Sequence, residues 1–241
     1  GSDMVTSDAA VMTVWSPAAL TQAYRMIDPY TGCYTETTGA SATTAATNGA
    51  AVGTLRDTTG TVNFTADADT NRGIYRSTGF NGTPCVELDG VDNSYSALSA
   101  LASFFKNTSY GYVFAAVSSV VTTADKALFS CTDGAGAGRM AVILNYSTTS
   151  GRLGAGGRRL DNPSNSFQDT SVNTAFIVDE PFVLGAEFLW GSSDLHIRKN
   201  KVRVASNTSF QTDGATSNTD STAARIGSNA AGSGQFFDGL I

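Results

Sequence analysis

From Gly111 onward, apolar residues come in short runs separated by stretches of glycine, serine and threonine. Gly111-Tyr112-Val113-Phe114-Ala115-Ala116-Val117 and Lys126-Ala127-Leu128-Phe129-Ser130 combine aromatic and β-branched residues at strand length. Met140 to Tyr146 is apolar at both parities, as expected of a strand covered on both faces, and Phe182 to Trp190 is the next long run. Turn-forming residues flank Met140 to Tyr146, Asp133 to Gly138 before it and Ser147 to Gly151 after it. Leu195 to Val204 alternates strictly on two arms about Lys199-Asn200 and predicts a hairpin. No stretch carries apolar residues at helical spacing over helical length. The pattern predicts an all-β, antiparallel jelly-roll β-sandwich whose core comes from the runs at 112–117, 140–146, 182–190 and 195–204.

Upstream the pattern is weaker. Residues 1–12 read as a tag remnant (Gly1-Ser2) and linker, and 13–241 as one domain. Gly39 to Ala51 is nearly low in complexity and reads as a loop lying on the sandwich. Gly, Ser and Thr make up about a third of the chain and charged residues only 15%, a composition of short strands and polar loops. A formal net charge of −6 makes a phosphate backbone an unfavourable partner, so nucleic acid is set aside. The lack of a long apolar run argues against membrane insertion, and the N-terminus does not read as a signal peptide. Cys33, Cys85 and Cys131 are odd in number and widely spaced, which predicts buried or half-buried thiols and a reducing compartment, with one bridge plus a free thiol as the alternative.

Asn81-Gly82-Thr83-Pro84-Cys85-Val86-Glu87-Leu88-Asp89-Gly90-Val91-Asp92-Asn93 resembles the N-G-x-P…F-D-G-x-D-D segment of laminin-G-like, concanavalin A-like jelly-roll domains. Pro17 to Leu20, Gly53 to Gly60 and Arg72 to Arg76 are similar to the lead-in of the phage and prophage versions of that domain. The Leu195–Val204 hairpin resembles the family's N-G hairpin, with Asn200-Lys201 in place of Asn-Gly. Arg225 to Ser228 and Phe236 to Ile241 resemble its closing motifs. Family members continue into a further strand, which leaves open a domain lacking its last strand. The resemblance implies a concanavalin A-like fold and a tail or tail-fibre-associated protein of a phage particle, made in the bacterial cytoplasm. Its implied partners are surface polysaccharide, other virion proteins and further copies of itself. A decoration protein without a sugar ligand, and a polysaccharide-degrading enzyme, are the alternatives.

Catalytic signals are sparse. The chain has four glutamates, Glu36, Glu87, Glu180 and Glu187, and no E-x-D-x-x-E strand of the kind that supplies facing carboxylates. Jelly-roll polysaccharide lyases use a His and Tyr pair with a neutralising Arg or Gln; here His196 is the only histidine, and it reads as structural or exposed on its hairpin arm. No cofactor is expected. Asp67-Ala68-Asp69-Thr70-Asn71 opens like a calcium loop, but Thr78 stands where a bidentate Glu is required, so calcium at Asp67 or Asp69 stays only as an alternative. Asp89 and Asp92 read as Asx-turn residues. Zinc lacks any ligand spacing. The glycine-rich stretches 134–138 and 151–159 read as loop turns, since neither completes G-x-G-x-x-G. The five N-x-S/T sequons are no more than about what this composition produces by chance.

What remains is a binding rim. Asn145 and Tyr146 end a central strand, and Arg158-Arg159 follow a glycine-rich stretch that would let backbone approach a ligand. Tyr146 offers a stacking face, Asn145 a two-way amide and the arginines a fork for a carboxylate or acidic sugar, with Trp190 as a further platform.

Overall fold

The computed structural model describes residues 27–59, 62–98, 107–120, 124–132, 138–159, 167–217 and 223–241. Among these residues, helical structure is confined to short 3-10 turns. The described strands are, in chain order, β1 (Cys33–Tyr34), β2 (Thr54–Arg56), β3 (Asn63–Ala66), β4 (Ile74–Phe80), β5 (Thr83–Asp89), β6 (Tyr95–Leu98), β7 (Gly111–Ser119) and β8 (Lys126–Thr132). They continue with β9 (Gly138–Leu144), β10 (Leu153–Gly157), β11 (Gln168–Val172), β12 (Phe182–Leu189), β13 (Asp194–Lys199), β14 (Val202–Asn207), β15 (Ala223–Ile226) and β16 (Asp238–Leu240).

They form two antiparallel sheets. One runs β1-β2-β3-β6-β15-β8-β9-β10-β11 and the other β14-β13-β12-β7-β16-β5-β4. Strand neighbours far apart in sequence, such as β15 between β6 and β8, give the crossovers of a jelly roll, as the hydrophobic pattern predicts. The inner faces interdigitate. On β12, Phe182, Leu184, Ala186 and Phe188 point into the core, while Val183, Gly185 and Glu187 point out, a direct consequence of the two-residue period. Phe188, Trp190 and Phe210 form an aromatic knot, with ring centroids 5.9 Å apart for Phe188–Trp190 and 6.3 Å for Trp190–Phe210.

Both lateral openings are sewn shut. Residues 50–53 cross between the sheets: Val52 N–H donates to the Gly73 carbonyl at 2.8 Å, Tyr75 N–H to the Ala50 carbonyl at 2.9 Å, and Gly53 N–H to the Tyr34 carbonyl at 2.7 Å. This covers the β4 edge, which would otherwise invite pairing with another chain. On the other side Asn207 Nδ2 of β14 donates to the Asp169 carbonyl of β11 at 3.1 Å.

Three expectations are corrected. The β13–β14 turn is Asn200-Lys201, one residue later than the alternation implied. Both residues have positive φ, 48° and 74°, as a two-residue type I′ hairpin needs. Asn200 is fixed there because its Oδ1 accepts from Val183 N–H at 2.9 Å. Second, part of 151–159 is not a loop but the strand β10, paired with β9 and β11 along its whole length. Leu153 and Ala155 enter the core, and the outward glycines 154 and 156 are covered by the rings of Tyr146 and Phe167. Third, the 112–117 run is only half core. Val113, Ala115 and Val117 face inward, whereas Tyr112 and Phe114 stand outside with 42% and 46% of their surface exposed. The glycine-rich stretch 134–138 lies outside the described residues except for Gly138.

Candidate functional site

The rim expected around Tyr146 does not open to solvent as a platform. Asn145 is buried in left-handed conformation (φ 55°), its Oδ1 accepting from Gly151 N–H at 3.0 Å, so its amide closes the turn into β10. Tyr146 lies over Gly154, its hydroxyl donates to Asp169 Oδ2, and the Arg152 guanidinium sits 5.4 Å from its ring centroid. Arg152 is itself held by Ser171 Oγ at 2.6 Å and 3.0 Å. Burial, then the Asp169 hydrogen bond, push the Tyr146 phenol up to about 12. Arg159 works as a clasp: its backbone N–H donates to Gln211 Oε1 at 3.2 Å, its Nη2 to the Asp213 carbonyl at 3.0 Å, and its guanidinium lies against Gly214. Arg158 is half-buried at the end of β10, with Phe167 lying over Gly156 between it and Tyr146. Trp190 is fully buried in the core and is not a platform. Tyr146 and Phe167 lie down on β10 because it has no outward side chains of its own at 154 and 156.

The outer face of the other sheet differs. Tyr110, Tyr112 and Phe114 form a ladder along β7, with centroids 5.5 Å and 6.1 Å apart and the last two rings nearly parallel at 15°. Register places Phe114 opposite Gly185 and Tyr112 opposite Glu187 on β12; on β13, Gly185 faces Arg198 and Glu187 faces His196. The glycine matters here: a Cβ at 185 would lie 2.5 Å from Phe114 Cε1, so its absence lets the ring lie down across β12. Arg198 Nε donates to Glu187 Oε1 at 2.6 Å and its Nη1 to the Lys201 carbonyl at 3.1 Å. His196 is 4% exposed, and its buried Nδ1 has no hydrogen-bond partner among the described residues. Burial, then the charge of Glu187, raise the Tyr112 phenol. The result is an exposed aromatic floor flanked by a fixed guanidinium–carboxylate pair. The parity of 111–117 could not reveal it, because both parities are apolar.

Other candidates are structural. Asp67 accepts from Ser94 Oγ and Ser96 Oγ, each at 2.7 Å, and pairs with Arg225, so its oxygens are spent within the fold. Among the described residues no group of three or more His, Cys, Asp or Glu could hold a metal ion. Asp89 makes the expected Asx-turn, its Oδ1 accepting from Val91 N–H at 2.9 Å. Asp92 instead offers its carbonyl to Asn71 Nδ2 at 2.7 Å. Cys33, Cys85 and Cys131 are buried thiols outside any disulfide, as the spacing implied. Burial pushes Cys33 to about 12 and Cys85 to about 11, which leaves both as unreactive thiols.

No protein-family model matches the chain, and no curated protein matches it in sequence. Among solved structures it is similar to the carbohydrate-binding module (CBM40) of the Ruminococcus gnavus intramolecular trans-sialidase bound to α2,3-sialyllactose, at 16% identity and a TM-score of 0.50, covering 65% of this chain and 85% of that one. The leech intramolecular trans-sialidase matches at 16% identity and a TM-score of 0.49, over 65% of this chain and 24% of that one. The mouse laminin α1 LG4-5 pair matches at 9% identity and a TM-score of 0.37, over 56% and 38%. The two-sheet antiparallel architecture and the similarity to the bacterial module identify the fold as a concanavalin A-like jelly-roll β-sandwich.

Proposed function

We propose that this protein is a non-catalytic glycan-binding, adhesion module, and that the outer face of β7, β12 and β13 is its binding surface. The carrying observation is the exposed Tyr112–Phe114 ladder beside the Glu187–Arg198 pair. Sugars present apolar C–H faces ringed by hydroxyls; aromatic rings take the first and charged hydrogen-bonding groups the second. That a similarly folded module holds sialyllactose supports the reading. We place the module in a phage or prophage virion, in or near the tail, among other virion proteins and copies of itself. The support for that setting is the ordered resemblance of its sequence motifs to phage versions of the domain.

One observation favours an enzyme instead: Tyr112, His196 and Arg198 share this face, the residue types that jelly-roll lyases use. Against it, Arg198 already neutralises Glu187, so it is not open to a substrate carboxylate. Glu87, the other glutamate on the face, lies roughly 20 Å or more from Glu187 by strand rise, too far to act with it on one glycosidic bond.

A glycan array and a host-envelope binding assay, run on the parent and on Tyr112→Ala/Phe114→Ala, test the proposal. Binding by the parent that the variant loses supports it. No binding at millimolar sugar, with stable incorporation into an assembled particle, assigns a decoration role. New reducing ends or unsaturated sugars assign an enzyme.

A further inference from the structure

The same sheet face continues beyond the aromatic ladder. On β7, β16, β5 and β4 the outward positions are Ala116 and Ser118, then Asp238 and Leu240, then Glu87 and Asp89, then Ile74 and Arg76. Where β4, β5 and β16 meet the loop at Thr70–Arg72, the surface sinks into a cavity of about 340 Å³, lined by Arg72, Arg76, Glu87, Asp89, Asn93 and Asp238 among others. Between this groove and Phe114 the described face carries Ala116, Ser118 and Leu240, of which Ala116 is exposed, Leu240 half-buried and Ser118 buried, so no bulky side chain of these strands stands between the two.

Register fixes the span. Ser118 pairs with Leu240, Leu240 with Glu87, and Arg76 with Cys85, so Arg76 lies level with Ala116, two residues along from Phe114 and three strands across. At the usual strand spacing and rise that separation is about 16 Å, longer than one sugar ring and matched by about three or four.

The groove's chemistry selects the ligand. Arg76 Nε is bound to Glu87 Oε2 at 2.5 Å, and Arg72 donates to the Asp69 carbonyl at 2.8 Å and the Thr35 carbonyl at 3.1 Å. The guanidiniums are thus already engaged, while Asp89 and Asp238 sit directly opposite each other across β5 and β16. Burial, and then crowding by Asp89, hold the Asp238 carboxyl above its ordinary range, with Lys126 opposing. An added anion would meet excess negative charge; hydroxyl groups would find carboxylate acceptors in Asp238 and in the Asp89 oxygen that the Asx-turn leaves over.

We infer that the ligand is a linear oligosaccharide of about three or four sugars, stacked on Tyr112 and Phe114 at one end and holding a neutral, polyhydroxylated sugar in the Arg76–Asp238 groove at the other. This rests on the glycan-binding reading of the face.

The test is an affinity series with neutral hexose oligomers of two to six units (β-1,3-, β-1,4- and α-1,4-glucans and α-mannans), and with oligouronates of the same lengths. It is run on the parent, on Phe114→Ala, and on Asp238→Asn, the groove variant, which removes a carboxylate acceptor and leaves the Arg76–Glu87 pair intact. The parent should gain at least about tenfold in affinity for a neutral oligomer between two and four units and then level off. The groove variant should lose that gain while binding the disaccharide within about twofold of the parent; Phe114→Ala should weaken every length. Affinity independent of length, tighter binding of oligouronates, or equal losses at all lengths in the groove variant overturns the two-subsite inference and leaves the aromatic site standing. Absence of binding by the parent at every length overturns both.

Discussion

On β10, Gly154 and Gly156 are roofed by Tyr146 and Phe167; on β12, Gly185 is roofed by Phe114. The local solution is the same, an aromatic ring laid on a glycine, yet the surfaces differ. Tyr146 is capped by Arg152 and tied to Asp169, so ring, phenol and guanidinium satisfy one another. Phe114 stacks on another ring, Tyr112, and keeps 46% of its surface open. Residue type alone therefore says little about which ring stands open; what differs is how much of the ring face the neighbouring strands leave exposed.

The comparison can be broken or sharpened by substitution. Trp190→Ala should have the largest effect, lowering unfolding free energy in denaturant by about 3–5 kcal/mol, because it empties a buried aromatic knot. The protein that remains folded should bind glycan like the parent. A loss of binding without loss of stability would return Trp190 to the site. Next, Tyr112→Ala/Phe114→Ala should weaken glycan binding by at least about thirtyfold, or ~2 kcal/mol, while stability changes by less than about 1 kcal/mol, since both residues stand on the outer face and outside the core.

Tyr146→Phe keeps the ring on Gly154 and deletes only the hydrogen bond to Asp169. It should cost about 0.5–1.5 kcal/mol and leave glycan affinity unchanged. If affinity falls instead, the β10 face takes part in binding.

The smallest effect concerns Glu36. The Thr44 hydroxyl, helped by the Thr43 and Thr44 backbone N–H groups, holds the Glu36 carboxyl at about 2. Because the folded value lies below the unfolded one, this contribution is present above the ordinary carboxylate range and is lost as pH falls toward about 2. Glu36→Gln should flatten the acid limb of a stability–pH curve within that window and change neither sheet face.

Much of the architecture is legible where one parity is clearly apolar. The β13–β14 hairpin shows itself in Leu195 and Ile197 alternating with His196 and Arg198, and the long run at Phe182–Trp190 is a central strand. The 111–117 run is different: aromatics and small apolar residues occupy both parities, and only the pairing with β12 shows which set faces out. β10 was hidden for another reason. Gly154-Ala155-Gly156-Gly157 has the composition of a loop, and what makes it a strand is cover from Tyr146 and Phe167, on segments to either side of it. The packing of the expected rim was hidden for the same cause. Asn145, Tyr146 and Arg159 look available in sequence, and their partners Gly151, Asp169, Gln211 and Asp213 come from turns and neighbouring strands that only the fold brings to them.

The most direct test of the central claim is a backbone amide NMR titration of the parent with the glycan it captures on the array. Shift changes should concentrate on residues 111–118, 183–187 and 194–198, with residues 140–157 and 168–172 unmoved. Perturbation centred on β9, β10 and β11, with β7 and β12 silent, would contradict the assignment of binding to the Tyr112–Phe114 face.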